Sequence, residues 1–204
     1  MKNSKFQNKY RADTTRLKSW NYGWNGAYFV TICTQNREPF FGEISEGEMN
    51  LSELGKITDQ CWNDIPNYHP YVRLGKFVVM PNHVHGIIII DKSDGDPVKT
   101  QHLASQNKPD KMPYPEAQSI APVRWNKSKQ TPQNRFGPQS NNLASIVRGF
   151  KIGVTKNARK IRPDFNWQPR YHDHIIRDEE SYLRISEYIR NNPAKWNKDK
   201  FYLK

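Results

Sequence analysis

The chain has 204 residues, with 32 Lys and Arg residues against 20 Asp and Glu residues, and a formal charge of +12. This length suits one domain with an appendage, and the 12% content of aromatic residues argues against a wholly disordered chain. No apolar run approaches the ~18 residues that a membrane-spanning helix needs. The positive charge favours a polyanionic partner, with nucleic acid ahead of an acidic membrane surface.

The N-terminal region is polar and has no apolar segment of the secretory kind. Two cysteines, Cys33 and Cys61, cannot make a disulfide framework, which indicates a reducing compartment such as the cytoplasm. Residues 1–19 hold six basic residues and one acidic residue. They form either a solvated tail or a basic arm that lies on phosphates.

The first half of the chain predicts three strands and one helix. Residues 27–34 (AYFVTICT) are rich in β-branched and aromatic residues, which predicts a strand. Apolar residues recur at spacings of three and four over residues 51–61, which predicts an amphipathic helix that ends before Pro66. Residues 72–80 and 84–90 predict two more strands, and the turn between them predicts an antiparallel hairpin.

Residues 92–141 differ in composition from the rest of the chain. They hold seven of the 14 prolines, many Gln, Asn, Ser and Lys residues, and few aliphatic residues. Such a segment cannot offset its ordering entropy by burial. We therefore interpret it as a long insertion that is disordered or loosely held on the surface.

The remainder predicts a helix over residues 142–159, a strand over residues 171–177 and a final helix over residues 179–192. Asp178 is placed to cap the N-terminus of the final helix, and Pro193 follows its end. The order β-α-β-β-α-β predicts a ferredoxin-like (RRM-like) α+β fold, a four-stranded antiparallel sheet with two helices on one face. The other face is left open or is covered by the additional C-terminal helix.

The first candidate site is the sequence His83-Val84-His85 at the start of the third strand. Because strand side chains alternate, both imidazoles project from one face while Val84 packs against the helices, and we expect the histidines to face open space. Two imidazoles on one strand face can chelate a divalent metal ion, although a bare pair of this kind is also common on protein surfaces.

A second pair, His172 and His174, flanks the charged residue Asp173. An inward-pointing Asp173 would be buried without an obvious partner, which is costly. We therefore expect this pair not to bind metal and Asp173 to make a structural or DNA-side hydrogen bond.

The final helix carries a possible nucleophile. Tyr188 and Asn192 are four residues apart, so they are neighbours on one helical face. A phenol can act as a nucleophile, and an amide oxygen can ligate a hard metal ion. Tyr182 is the competing tyrosine, but its spacing to the apolar residues of the helix predicts that it is packed.

Four stretches together resemble one family: AYFVTICTQNREPFFGEI, MPNHVHGIIII, SIVRGFKIGVTK and WQPRYHDHIIRDEESYLRISEYIRNNPAKW. They resemble the single-tyrosine transposases of the HUH nuclease superfamily, and within it the REP-associated tyrosine transposases. The resemblance runs from about residue 16 to residue 196 and is interrupted by residues 92–141. It implies one HUH transposase-like domain made of residues 20–91 and 142–204, with the tyrosine on the C-terminal helix.

The resemblance also implies a set of roles. His83 and His85 match the pair that binds a divalent metal ion, Mg²⁺ or Mn²⁺, and Asn192 matches the polar residue that completes the metal site. Tyr188 matches the nucleophile. The implied activity is that of a single-strand DNA endonuclease and strand transferase, which forms a 5′-phosphotyrosine intermediate on hairpin-bearing DNA. The absence of a GxxxxGK[ST] phosphate loop agrees with chemistry that needs no ATP.

Seven residues are candidates for contacts with DNA. Basic side chains would contact backbone phosphates, and aromatic rings would stack on unpaired bases. For any one of them, a solvated charge or a packed aromatic ring explains the residue equally well. The candidates are Arg148, Lys151, Lys156, Arg159, Trp167, Arg170 and Arg177.

Two alternative functions stay open. A non-catalytic nucleic-acid-binding protein or repressor derived from a transposase would need the basic face but not the tyrosine. A replication initiator or relaxase would use the same HUH chemistry, but such chains are usually larger. The insertion-sequence relatives form dimers, whereas the REP-associated branch can build the site from one chain, which favours a monomer over a homodimer. The expected location is the bacterial cytoplasm, on the nucleoid and with no membrane partner.

Overall fold

The structure, a computed structural model, describes residue 17 and residues 19–92 and 140–202. The predicted arm at residues 1–19 and the predicted insertion at residues 92–141 lie almost entirely outside these ranges. Within them, no helix is long and apolar enough to cross a lipid bilayer.

In the described ranges, six strands and four α-helices form in the order β1, β2, β3, α1, α2, β4, β5, α3, β6 and α4. The strands are Gly26–Cys33 (β1), Gly42–Ser45 (β2), Glu48–Leu51 (β3), Val72–Met80 (β4), His83–Ile90 (β5) and His172–Ile176 (β6). The helices are Glu53–Asn63 (α1), Ile65–Tyr68 (α2), Leu143–Ala158 (α3) and Glu179–Asn191 (α4), and a 3-10 helix, Pro193–Lys198, follows.

Four strands form one antiparallel sheet in the order β4-β5-β1-β6. This arrangement confirms the predicted α+β plan and places β5, the strand of the histidine pair, in the interior of the sheet. Helices α1 and α3 cover one face, where the main core forms around Trp62 and Phe150. Gly86 is required there, because a Cβ atom at this position would lie 2.2 Å from the Trp62 ring.

Helix α4 covers part of the opposite face. Ile189 packs with Ile87 and Ile89 of β5 in a second apolar cluster, and Tyr182 lies at its margin. The predicted cap is confirmed, since the Asp178 side chain accepts a hydrogen bond of 2.7 Å from the backbone N–H of Ser181. The cap and the apolar stripe together fix which residues of α4 face the sheet.

Two features differ from the sequence-based predictions. Residues 42–51 form the hairpin β2–β3, so Leu51 ends a strand and the helix begins only at Glu53. The end of the helix is as predicted, since α1 stops at Asn63 and Pro66 lies in the separate short helix α2, where proline is tolerated at the first helical positions. The prediction that the histidines face open space is wrong. Both are buried beneath residues 193–202, which follow α4 and are called the C-terminal segment below.

Candidate active site

His83 and His85 project from the face of the sheet that α4 covers. Because the start of β5 is paired with β1 on one side and with β4 on the other, its alternation holds both imidazoles on this face. Their ring centroids lie 4.4 Å apart, with the planes inclined by 72°. The predicted pairing of the two rings is therefore present, and what differs is their burial.

Hydrogen bonds orient both rings. The Asn82 amide nitrogen donates to the backbone oxygen of Phe201 at 2.8 Å, which leaves the Asn82 amide oxygen 2.8 Å from His83 Nδ1. That oxygen can only accept, so the His83 proton lies on Nδ1 and the lone pair of Nε2 is available. The Thr31 hydroxyl lies 2.9 Å from His85 Nδ1, which leaves His85 Nε2 to face the site. Such partners are the usual means of orienting histidine ligands.

Burial keeps both imidazoles uncharged at neutral pH. It lowers the pKa of His83 to about 3, and the positive charges of Lys200 and Arg37 act in the same direction. Burial also lowers the pKa of His85 well below its ordinary value, assisted by the neighbouring His83. Neutral imidazole is the form that coordinates a metal ion.

Tyr188 reaches the histidine pair from α4 of the same chain. Its hydroxyl oxygen lies 3.3 Å from His85 Nε2, and its ring stands at an angle to that of Phe29. The residue is 43% exposed, so the hydroxyl group borders both the buried imidazole and solvent. Burial raises the pKa of Tyr188, and the negative charge of Asp199 raises it further. The phenol is therefore protonated at neutral pH.

Asn192 and Asp199 complete the cluster. Asn192 is 3% exposed, and its amide nitrogen donates to the Asp199 carboxylate at 3.1 Å. One ligand atom from each of His83, His85 and Asp199 lies within 4.8 Å of the others, and in the described part of the chain this is the only such group of three or more His, Cys, Asp or Glu residues.

Sequence reasoning missed Asp199. It lies between two lysines in the C-terminal segment and comes to the site only because the chain folds back after Pro193. The one available signal was the aromatic content of that segment, which predicts packing but not a ligand.

The cluster fits a divalent metal ion. His83 Nε2 and Asn192 Oδ1 are both buried without a hydrogen-bond partner, an arrangement that is costly unless something else is bound there. Two neutral nitrogens, an amide oxygen and a carboxylate form a donor set that suits a divalent cation such as Mn²⁺, with oxygen ligands that also suit Mg²⁺.

Five of the seven candidate DNA-binding residues line one groove of about 570 Å³ between α3 and the start of β6. The groove lies on the α3 side of the sheet, whereas the histidines and Tyr188 lie on the α4 side. Among the residues that the structure describes, no acidic side chain lines it. Its basic residues are Arg148, Lys151, Lys156, Arg159 and Arg170.

Some of these candidates also have structural contacts. Lys151 donates to the backbone oxygens of Gln168 and Arg170 at 2.8 and 3.0 Å, and Arg159 donates to that of Phe165 at 3.1 Å. They therefore tether the segment that leads into β6.

The other two candidates lie outside the groove. Trp167 packs edge-on against Phe165 with centroids 5.3 Å apart, and its indole N–H donates to the backbone oxygen of Lys151. Its ring belongs to the periphery of the core. Arg177 is exposed just beyond the end of β6.

The second histidine pair lies on the same face of the sheet as the first. His172 and His174 pair with Thr31 and Phe29 of β1, and both are exposed on the edge strand β6. They are not part of the metal-ligating cluster. His172 still borders the site, since it pairs with Thr31, whose hydroxyl group lies 2.9 Å from His85 Nδ1.

Comparison with known proteins finds a close relative and a solved structure of the same fold. A protein of Haemophilus influenzae (strain Rd), described only as uncharacterized, is 43% identical over 190 residues, which cover 92% of this chain and 91% of the relative. The solved structure of a REP-associated tyrosine transposase bound to a REP hairpin is 18% identical, with a TM-score of 0.54, and the match covers 93% of this chain and 77% of that one. No protein-family model matches the chain.

Proposed function

Because this chain belongs to the family of the uncharacterized Haemophilus influenzae protein and has the fold of a REP-associated tyrosine transposase, we propose that it is a metal-dependent single-strand DNA endonuclease and strand transferase of the HUH kind. The observation that carries the proposal is the position of Tyr188. Its hydroxyl group lies 3.3 Å from His85 Nε2, at the edge of a buried cluster that fits a divalent metal ion.

His83, His85, Asn192 and Asp199 are the residues that would hold the metal ion. A bound divalent ion supplies polarisation of a phosphodiester and stabilises the charge that develops on its oxygens. Asn82 and Thr31 hold the imidazoles in the orientation that such binding needs.

Tyr188 acts as the nucleophile towards a DNA phosphodiester. Its oxygen forms a bond to phosphorus while the bond from phosphorus to the 3′ oxygen breaks, which leaves a 5′-phosphotyrosine. The phenol proton passes through solvent to the departing 3′ oxygen. Attack by a 3′-OH reverses the step and rejoins a strand, so the energy of the phosphodiester bond is retained and no nucleotide triphosphate is consumed.

The site is assembled from one chain. Tyr188 and both histidines come together through packing of α4 on its own sheet, with Ile189 buried against β5. No element from a second copy is needed to bring the nucleophile to the histidines. We therefore favour a monomer as the active species.

The basic groove would bind the phosphates of the hairpin stem. Its five basic residues, with no acidic side chain beside them in the described ranges, favour a polyanion. Phosphate contacts of this kind are independent of sequence and weaken with salt. Because the groove and Tyr188 lie on opposite sides of the sheet, a substrate that uses both must pass around the β6 edge. A hairpin with a single-stranded extension has the flexibility to do so.

The test is incubation of the protein with end-labelled, single-stranded hairpin DNA in Mn²⁺, followed by a denaturing gel. We expect a protein–DNA adduct that is absent in EDTA and in Tyr188→Phe. Tyr182→Phe is the matched control on the same helix and should form the adduct. DNA binding without an adduct in any metal would instead support a non-catalytic binding protein.

A further inference from the structure

A cavity of about 450 Å³ opens beside the histidine pair, between the β2–β3 hairpin and the C-terminal segment. It is lined by polar and apolar groups, among them Arg37, Asn82, Trp196, Asn197 and Tyr202. The chemistry proposed for Tyr188 does not use this cavity. Its volume lies in the range of small-ligand sites, which is roughly 300–1,000 Å³.

Two residues lie between the cavity and the histidine pair, where the phosphate that Tyr188 attacks would be held. Asn82 lines the cavity and also holds His83 Nδ1 at 2.8 Å. The Trp196 ring lies 5.9 Å from the His83 ring and forms part of the cavity wall. Asn82 and Trp196 therefore form the wall between the cavity and His83, and neither the histidines nor Tyr188 lines the cavity itself.

Flat aromatic surfaces line the C-terminal side. The rings of Trp196 and Tyr202 meet edge to face with centroids 5.4 Å apart. Both side chains are partly accessible to solvent. Aromatic rings that border solvent in this way are the usual stacking surfaces for unpaired bases.

Arg37 and Asn197 supply hydrogen-bonding groups. Arg37 donates to the backbone oxygen of Lys200 at 3.1 Å, and its guanidinium group lies 5.1 Å from the centre of the Phe201 ring. Asn36 and Arg37 both have positive φ angles, 54° and 59°, which non-glycine residues adopt only at a cost in free energy. The turn is thus held in a strained form that keeps Arg37 at the wall of the cavity.

We propose that this cavity binds one unpaired nucleobase of the substrate strand, from the nucleotide next to the phosphate that Tyr188 attacks. The inference rests on the proposed function. Aromatic rings provide the stacking surface, and guanidinium and amide groups are the ones that recognise base edges. The cavity therefore adds a base-dependent contact to an otherwise sequence-independent grip on phosphates.

Binding in EDTA tests the cavity separately from catalysis. A fluorescent hairpin DNA with single-stranded extensions is prepared with one abasic nucleotide at each unpaired position in turn. We expect one position at which base removal lowers the affinity of the wild-type protein roughly tenfold, the loss expected from one stacked base. In Trp196→Ala and in Arg37→Gln, removal of that base should have less than a twofold effect.

A loss of binding in Trp196→Ala or Arg37→Gln must be distinguished from misfolding. Thermal unfolding of both variants checks that the fold is retained, and Arg37→Gln keeps the aromatic wall intact. If no single position matters, or if the same position matters equally in wild type and both variants, the cavity does not hold a base. Failure of the proposed function would be seen differently, as the absence of an adduct in Mn²⁺ whatever the abasic scan shows.

Discussion

Lowering the pH from 7 to 5 should destabilise the metal-free protein through its two buried histidines. The pKa of His83 is about 3 in the folded protein, against an ordinary value of 6.5. Between these values the unfolded chain binds a proton that the folded chain does not. Stability is therefore full above pH 6.5 and falls as the pH drops below it.

The size of the effect follows from the ordinary pKa. From pH 7 to pH 5, a histidine that stays neutral in the fold and titrates at 6.5 when unfolded lowers the free energy of unfolding by about 2 kcal/mol. The pKa of His85 is lowered in the same direction, so the pair together contributes up to about 4 kcal/mol. This is a large share of the ~5–15 kcal/mol that stabilises a typical domain.

Urea unfolding at pH 7 and pH 5 in EDTA measures this difference. His83→Gln should remove about half of the pH-dependent loss, because glutamine does not titrate. His174→Gln, at an exposed position, should leave it unchanged. Equal stability at the two pH values, or a full loss retained in His83→Gln, would show that the buried imidazoles are not held neutral by the fold.

Three further changes test the fold, the metal site and the groove. Gly86→Ala should lower the free energy of unfolding by about 3 kcal/mol or more in urea titrations, because the added Cβ would lie 2.2 Å from the Trp62 ring. Asp199→Asn should weaken Mn²⁺ binding in calorimetry roughly tenfold or more, since it removes the only carboxylate of the cluster. Arg148→Gln combined with Lys156→Gln should lower affinity for hairpin DNA and reduce the slope of log K against log salt by about 1 for each lost contact.

Matched controls accompany two of these measurements. Glu180→Gln changes an exposed carboxylate on the same helix as Tyr188 and should leave Mn²⁺ binding intact. Lys56→Gln removes an exposed charge from α1 and should leave the salt dependence intact. An equal loss in control and test variants would assign the effect to overall charge rather than to the site.

Local patterns were sufficient to predict much of the site. The alternation of β5 places His83 and His85 on one face whatever covers it, and the capped, apolar stripe of α4 fixes its orientation on the sheet. Tyr182 packs with the apolar cluster, as its spacing predicted. These are one-element properties, which periodicity and capping determine. The approach of Tyr188 to the histidines joins two elements, and only the family resemblance implied it.

Contacts between distant segments were not predictable in this way. Asp199 joins the cluster through a reversal after Pro193, and the burial of His83 depends on packing by Phe201 at 4.7 Å between ring centroids. The β2–β3 hairpin has only four residues in each strand, which is the lower limit for recognising an alternation in a sequence. The basic groove lies on the opposite side of the sheet from Tyr188. This placement follows from the sheet topology and could not be predicted from the charge of α3.

The position of the covalent bond tests the central claim most directly. An adduct formed with hairpin DNA in Mn²⁺ is digested with nuclease and trypsin, and the peptides are analysed by mass spectrometry. Cleavage after Arg184 and Arg190 gives the peptide ISEYIR, in which Tyr188 is the only tyrosine. We expect this peptide to carry a nucleotide phosphate on Tyr188. A nucleotide on any other residue, or no modified peptide from active protein, would contradict the assignment of Tyr188 as the nucleophile.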